Sequence, residues 1–331
     1  MAGDRSPHVV VVTTSYPQYE GDAQGHFVAS EVRRLAERAH VTVLAPGERR
    51  RALGAERVVS LGGGDAFGFP GALARLRESP LRVLGATRFV HEAWRWLRRE
   101  PRPARLIAHF LLPCGVPIAT RGAARGTELE IVVHGSDARL FAALPAKRWL
   151  GAELTRSGAR LRFVSSELER LVLGGLGDAQ RQHLQPFCRV EPCALDVPAQ
   201  LTRQQARAEL GIAAQARLAV VVARLVPSKR VDIALEACSR LPGLDCVVVG
   251  DGPERARLSQ RFPRARFVGH LERPRALAYL AAANALVSAS LQEGAPSVVR
   301  EARALGTDVV CLSAGDLARW AEHDAGIHVV T

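Results

Sequence analysis

Two glutamates eight positions apart, Glu293 and Glu301, bracket the stretch of this sequence best suited to anion and hydroxyl chemistry. Between them run Gly294, Ala295, Pro296, Ser297 and Val298. An apolar run over residues 285–289 delivers the chain to this turn. A helical pattern follows it, with Val298, Ala302 and Leu305 on one face. Pro296 suits the first helical position, and Gly294 lets another group approach the backbone. Such a helix start presents N–H groups to a phosphate, with one carboxylate just before it and a second in its second turn. The spacing of the two acids is at chance level, about one such pair in a chain of this length. What makes the pair notable is the turn between them.

Arg224 and Lys229 supply the complementary charge. Arg224 ends a predicted strand and Pro227-Ser228 opens the next helix, so both cations lie on a strand-to-helix turn. There a guanidinium fork and an ammonium can grip a diphosphate, although two solvated basic residues on a loop would look the same. Only Lys147 and Lys229 are lysine among the 45 basic residues, a skew that reads as codon bias and makes Lys229 mildly notable. Gly250-Asp251-Gly252-Pro253 closes the following strand, but a dinucleotide fingerprint would need a third glycine where Arg255 stands, and NAD binding is rejected. Val268, within Phe267-Val268-Gly269-His270, ends the next strand, where a nucleotide base can lie against the backbone; a plain strand end is the simpler reading.

In the first half, His134-Gly135-Ser136-Asp137 follows a strand. Gly135 permits a sharp turn and Ser136 or Asp137 can cap the next helix, while a lone histidine at a strand end is structural more often than catalytic. His109, ahead of Leu111-Leu112-Pro113, carries a weaker signal. Gly25, before Phe27 and the first helix, would admit a phosphate or sugar close to the first strand–helix turn, or is an ordinary loop glycine.

The elements that must position these residues follow a β-α-β rhythm of short apolar strands. In the first half strands are predicted over residues 8–13, 40–44, 105–109, 130–133 and 160–164, with amphipathic helices over 27–38 and 81–99. Residues 47–71 read as an irregular excursion, and a Pro- and Gln-containing stretch over 187–207 reads as a linker. The alternation then restarts, with strands over 218–223, 245–249, 266–268, 285–289, 308–312 and 327–330. The fold class is therefore α/β, two doubly wound parallel-sheet domains over residues 1–195 and 196–331, with ligands expected at the carboxyl ends of the strands in a cleft between them.

The bulk numbers agree with two domains: 331 residues, 47% hydrophobic and 24% charged. No apolar run approaches the roughly 18 residues of a membrane span, and residues 9–12 are too short for a signal peptide, so a cytoplasmic protein is expected. Six scattered cysteines without C-x2-C pairing read as reduced core residues, with no metal site expected. The net charge of +12 admits nucleic acid, an anionic membrane or an anionic substrate. No nucleic-acid motif supports the first. Residues 81–105 combine Trp94 and Trp96 with seven arginines, which would suit peripheral contact with an anionic inner leaflet, although a helix packing its apolar stripe on the sheet explains the pattern more simply.

Taken together, Ala223-Arg224-Leu225 with Lys229, Val248-Val249-Gly250-Asp251-Gly252-Pro253, Phe267-Val268-Gly269 and Glu293-Gly294-Ala295-Pro296 with Glu301-Ala302 resemble the donor half of retaining, nucleotide-sugar-dependent glycosyltransferases of the family-4 (group 1) type, which have the GT-B fold. Gly25 and His134-Gly135-Ser136-Asp137 extend the resemblance to the first half. It implies a hexosyltransferase that moves a sugar from a UDP- or GDP-sugar to an acceptor hydroxyl (on a glycan, a lipid-linked or a small molecule) with retention, using no cofactor and no metal. Arg224 and Lys229 would neutralise the diphosphate, Glu293 would hold sugar hydroxyls and Glu301 the ribose diol. Backbone N–H groups of residues 294–298 would meet phosphate or sugar oxygens, and His134 would contact the donor sugar near the reacting carbon. Three departures stand out. Gln24 precedes Gly25 where a second glycine is usual, Arg230 follows Lys229 where glycine is common, and the sequence reaches Thr331 without the C-terminal return helix the resemblance implies. A nucleotide-sugar epimerase of the same fold and a non-catalytic nucleotide-sugar-binding protein remain the alternatives.

Overall fold

The computed structural model describes residues 6–47, 50–68, 75, 79–120, 126–197 and 201–330. The chain divides into two compact units, residues 1–194 and 195–331.

The first unit runs β1 (His8–Val12), α1 (His26–Ala36), β2 (His40–Pro46), β3 (Arg57–Leu61), α2 (Arg82–Arg99), β4 (Arg105–His109), α3 (Val116–Thr120), β5 (Glu128–Val133), α4 (Ser136–Ala143), α5 (Lys147–Ser157), β6 (Arg160–Phe163), α6 (Ser166–Gly174), α7 (Asp178–Leu184) and β7 (Cys188–Val190). Its strands form a parallel sheet in the order β3-β2-β1-β4-β5-β6-β7. Val9, Val10, Val11 and Val12 are all buried, as they must be when successive side chains point to opposite faces and helices cover both. Glu130 of β5 pairs with Arg105, with Arg162 at 2.8 Å and with Arg189 at 2.9 Å, tying β4, β6 and β7 to β5 by charge. Arg162 also pairs with Glu31 of α1.

The second unit runs α8 (Arg203–Leu210), β8 (Arg217–Val222), α9 (Val231–Ser239), β9 (Leu244–Val249), α10 (Arg255–Arg261), β10 (Arg266–Gly269), α11 (Arg273–Ala282), β11 (Ala285–Ser288), α12 (Ser297–Ala304), β12 (Asp308–Leu312), α13 (Leu317–Ala321) and β13 (Ile327–Val330). Its parallel sheet has the order β10-β9-β8-β11-β12-β13. Val220, Val247 and Val249 pack into one apolar layer with Leu286 and Val299, while their neighbours Val221 and Val248 pack into the opposite layer with Leu225 and Leu235. Both units are doubly wound, and in each the direction of winding reverses beside the first strand.

Three sequence expectations differ from what is seen. The supposed excursion over 47–71 contains β3, whose short run Val58-Val59 is masked by flanking Arg and Gly but gains a full parallel partner in β2; residues 48–49 and 69–71 lie outside the described set. The supposed linker contains β7, which completes the first sheet, and α8, started by a capping box between Thr202 and Gln205. Finally, Pro296 is not the first helical residue. It stands just before α12 in an extended conformation with φ −61° and ψ 112°, and Ser297 opens the helix.

The apolar stripe of α2 is also settled. Phe89, Ala93 and Leu97 are buried in the core, whereas Leu81, Val83 and Leu84 at its start are exposed. Among the described residues no helix is long and apolar enough to cross a membrane.

Candidate active site

In the second unit the winding reverses between β8 and β11, and the two loops that leave these strands carry the predicted acids and bases. Arg224 and Lys229 lie on the loop after β8, and Glu293 on the loop after β11. Leu291 N–H donates to the Ser228 carbonyl at 3.0 Å, joining the two loops through their backbones. Alongside that bond the Lys229 ammonium donates to Glu293 Oε1 at 2.5 Å, with both side chains mostly buried. The expected diphosphate cation and sugar-binding acid are thus a single ion pair astride the crevice where doubly wound sheets bind ligands. Arg224 reaches the surface, yet the protein around its guanidinium pushes its pKa down, with Glu293 pulling the other way. With solvent at hand the guanidinium stays charged.

Gly294, Ala295 and half-buried Ser297 and Val298 lead into α12, whose amides of residues 297–299 precede its first backbone bond, from Arg300 N–H to the Pro296 carbonyl at 3.3 Å. Gly315, in the left-handed region at φ 59°, underpins this loop: a Cβ there would lie 2.8 Å from the carbonyl oxygens of Glu293 and Gly294. Nothing local in the sequence signals that contact.

Glu301, expected at the ribose, is buried at 6% exposure. Its Oε1 accepts from Arg273 Nε at 3.0 Å and Nη2 at 2.9 Å, and Arg273 Nη2 also donates to the Asp196 carbonyl. Sequence reasoning missed Arg273, which lies 28 positions away. Val268 packs against the core at the end of β10, and the Gly269 carbonyl accepts from Gly250 N–H at 2.8 Å.

The Gly250-Asp251-Gly252-Pro253 turn has a clear role in this arrangement. A Cβ on Gly250 (φ 136°) would sit 1.9 Å from the Ala223 carbonyl oxygen, and one on Gly252 (φ 154°) 2.4 Å from that of Leu225. The bare backbone closes this gap: Leu225 N–H donates to the Asp251 carbonyl at 2.8 Å and Glu254 N–H to the Leu225 carbonyl at 3.1 Å. The turn therefore holds the Arg224–Lys229 loop from beneath. Arg230, where glycine was expected, adopts φ 46° and ψ 44°. The left-handed start that α9 requires is made here by a residue that pays a steric cost for it.

In the first unit the strand ends are lined by histidines. His109 closes β4 and His134 follows β5, with His109 Nδ1 and His134 Nε2 3.0 Å apart. The His134 ring is nearly parallel to that of His109 and meets it edge to edge through these nitrogens, and its centroid lies 4.6 Å from that of Phe110 and 5.0 Å from that of Phe27. Burial pushes the His109 pKa down to about 3, with Arg162 adding to the effect. His134 is likewise held well below the ordinary value by burial, then by His109 and Arg162, although the residue as a whole is half-buried. Both rings are neutral near pH 7. Asp137 fixes their surroundings, accepting from the backbone N–H groups of Leu111 at 2.6 Å, Gly135 at 2.8 Å and His134 at 3.1 Å. Burial raises the Asp137 pKa while these bonds oppose the rise. Gly135, at φ 146°, makes the expected sharp turn. The stronger signal, a histidine at the ends of two neighbouring strands, was there to be read.

Gly25 (φ 69°) precedes α1, and a Cβ there would lie 2.6 Å from the Ser15 carbonyl group. The close approach it permits is thus to the chain's own backbone. Beyond the ends of β1, β2 and β3 opens a polar cleft of about 790 Å³, lined by Ser15, Gln18, Gln24, Arg50, Ser60 and Gly62 among others.

The family model described as Glycosyl transferases group 1 matches residues 202–331. TuaC of Bacillus subtilis, named as a teichuronic acid biosynthesis glycosyltransferase, is 27% identical over 230 residues, 67% of this chain and 56% of its own length. The chain spans about half the length of the curated relatives it matches. Among solved structures, sucrose-phosphate synthase from Thermosynechococcus elongatus is similar at a TM-score of 0.71 and 16% identity, covering 98% of this chain and 86% of that one. HepE from Anabaena, solved in complex with UDP-glucose, is similar at 0.66 and 16% identity, covering 98% and 85%. The fold, two Rossmann-like parallel-sheet units, is the one these proteins share.

Proposed function

We propose that this protein, whose residues 202–331 match the family model described as Glycosyl transferases group 1, is a glycosyltransferase that moves a hexosyl group from a UDP- or GDP-sugar to an acceptor hydroxyl, with retention of configuration. The observation that carries the reading is the Lys229–Glu293 pair at 2.5 Å, on two loops bonded through their backbones where the second sheet reverses its winding.

The pair keeps cation and carboxylate poised. A nucleoside diphosphate sugar would replace their mutual contact with two of its own. Lys229 and Arg224 would take the diphosphate and stabilise the departing nucleotide as charge develops on it, and the amides of residues 297–299 would add donors at the start of α12. Glu293 would accept from sugar hydroxyls. Glu301, already anchored by Arg273, would present its carboxylate to the ribose diol. Val268 and the backbone around it would lie against the base. In the first unit, neutral His134 is the group we propose to meet the sugar, and the polar cleft beside Ser15 and Arg50 the place for the acceptor. The chemistry needs no side chain to remove the acceptor's proton if the leaving diphosphate takes it on the same face. The protein is proposed to work in the cytoplasm, with the exposed Leu81, Val83 and Leu84 and the nearby arginines of α2 in contact with an anionic membrane face.

Calorimetric screening of UDP- and GDP-sugars, with Lys229→Ala and Glu293→Ala alongside, tests the donor assignment. Binding of one donor class that both variants weaken supports it; no binding, or variants that behave as wild type, ends it. Product formed only when an acceptor is added separates transfer from epimerisation, and the anomeric proton coupling of that product decides retention.

A further inference from the structure

His109, His134 and Cys193 come from three separate segments, the end of β4, the residue after β5 and the stretch after β7. Yet His109 Nδ1, His134 Nε2 and Cys193 Sγ all lie within 4.8 Å of one another. Cys193 is buried and takes part in no disulfide. Among the described residues this is the one group of three metal-capable side chains that converges so closely. We propose that this cluster is a binding site for a borderline-soft divalent cation of the zinc class, with two imidazoles and one thiolate as ligands.

The donor set fits such an ion: imidazole and thiolate are the ligands zinc prefers, and three protein ligands leave a fourth position open. At zinc–nitrogen and zinc–sulfur bond lengths the ligand atoms of a tetrahedral site lie roughly 3.5 Å apart. The imidazole nitrogens, at 3.0 Å, are close to that already, and the thiol must move in by about an ångström, within reach of a side-chain rotation. Without metal the two nitrogens share a hydrogen bond, so the ion takes the place of a proton between them. Each imidazole stays neutral, its proton carried on the nitrogen that does not face the ion. The thiol gives up its proton, so binding releases one proton for each ion bound. Arg162, which lies near enough to act on both imidazoles, is neutralised by Glu31 and Glu130 and is no bar to a cation.

Whatever the protein catalyses, an ion here would lock the His134 ring. If His134 meets the donor sugar, metal binding would switch that contact off, and the site would act as a reversible brake. Binding itself does not depend on that reading.

The test is titration of the metal-free full chain with cobalt(II), whose bond to a thiolate produces a charge-transfer band in the near ultraviolet. The wild type is expected to bind one ion with that band and to release it to zinc(II). Cys193→Ser should lose the band, and His109→Asn should weaken binding, while Cys188→Ser keeps both. Melting curves of each variant without metal establish that the fold is intact, and loss of zinc binding in a folded Cys193→Ser chain supports the site. No band in the wild type, or a band that survives in Cys193→Ser, overturns it.

Discussion

Glu301 and Arg273, 28 residues apart, are joined through two guanidinium nitrogens at 3.0 and 2.9 Å, and Arg273 is tied in turn to the Asp196 carbonyl. One carboxylate thus anchors the first turn of α11 to α12 and to the start of the second unit. Because both side chains are largely buried, removing one leaves the other charge without its partner. Glu301→Ala should lower the stability of the second unit by about 2–3 kcal/mol in urea denaturation, with a coupling to Arg273→Ala of about 1 kcal/mol or more. A change within about 0.5 kcal/mol would show that the pair holds nothing.

Lys229 and Glu293 should separate in their effects. Lys229→Ala removes the proposed charged donor to the diphosphate and should weaken the nucleoside diphosphate itself by about 10- to 100-fold. Glu293→Ala should leave the free nucleotide nearly unaffected and weaken the nucleotide sugar. Calorimetry with both ligands on both variants distinguishes the roles; equal losses for nucleotide and nucleotide sugar in Glu293→Ala would place that acid elsewhere.

The glycine turn beneath Arg224 makes a steric prediction. Gly250→Ala sets a methyl 1.9 Å from the Ala223 carbonyl oxygen at a φ of 136°, and should cost more than about 2 kcal/mol as well as donor affinity. Gly174→Ala, in α6 with open space around it, should be neutral or stabilising by about 0.5–1 kcal/mol. Thermal melting of the two variants provides the comparison.

At Arg230 the left-handed backbone sets a different limit. Arg230→Gly should be neutral within about 1 kcal/mol, since steric relief offsets added chain entropy, whereas Arg230→Val should destabilise because β-branching conflicts with φ 46°. Equal stability of the two variants would mean that the turn relaxes.

Acid should weaken the first unit through its histidines. The pKa of His109 in the folded chain lies near 3, below its ordinary value of 6.5, so below pH 6.5 the unfolded chain takes up a proton that the folded one refuses. Its stabilising effect is complete above about pH 6.5 and is lost progressively as pH falls toward 3, by about 2 kcal/mol at pH 5. His134 acts in the same direction. His109→Asn should flatten the melting temperature between pH 7 and 5; an unchanged slope would assign the pH dependence to other groups.

At the membrane, the full chain should sediment with vesicles rich in anionic lipid and release as salt rises, and Leu81→Ser with Leu84→Ser should weaken the association. No sedimentation at low salt would leave α2 as a core-packing helix alone.

Much of this protein could be read along the chain. Parallel strands buried on both faces appear as continuous apolar runs, so Val9–Val12 and Val220–Val222 announce themselves, and turn chemistry at Gly250, Pro227 and Gly294 marks the loops that leave the strands. That local information also placed Arg224, Lys229, Glu293 and His134 at strand ends, because strand ends are local. It was silent where a partner lies far away in the chain. β3 offers only Val58-Val59 as an apolar run between Arg and Gly and β7 is three residues long, so neither can be read without the neighbours that complete its hydrogen bonds, and the capping box of α8 was hidden inside a stretch that looked like a linker. Only the tertiary structure could pair Glu301 with Arg273, seat Gly315 under the Glu293 carbonyl and close the gap between Lys229 and Glu293. It likewise brought Cys193 to His109 and His134. Each of these depends on how two parallel sheets order their strands, and strand order is a property of the packed whole that no window of sequence contains.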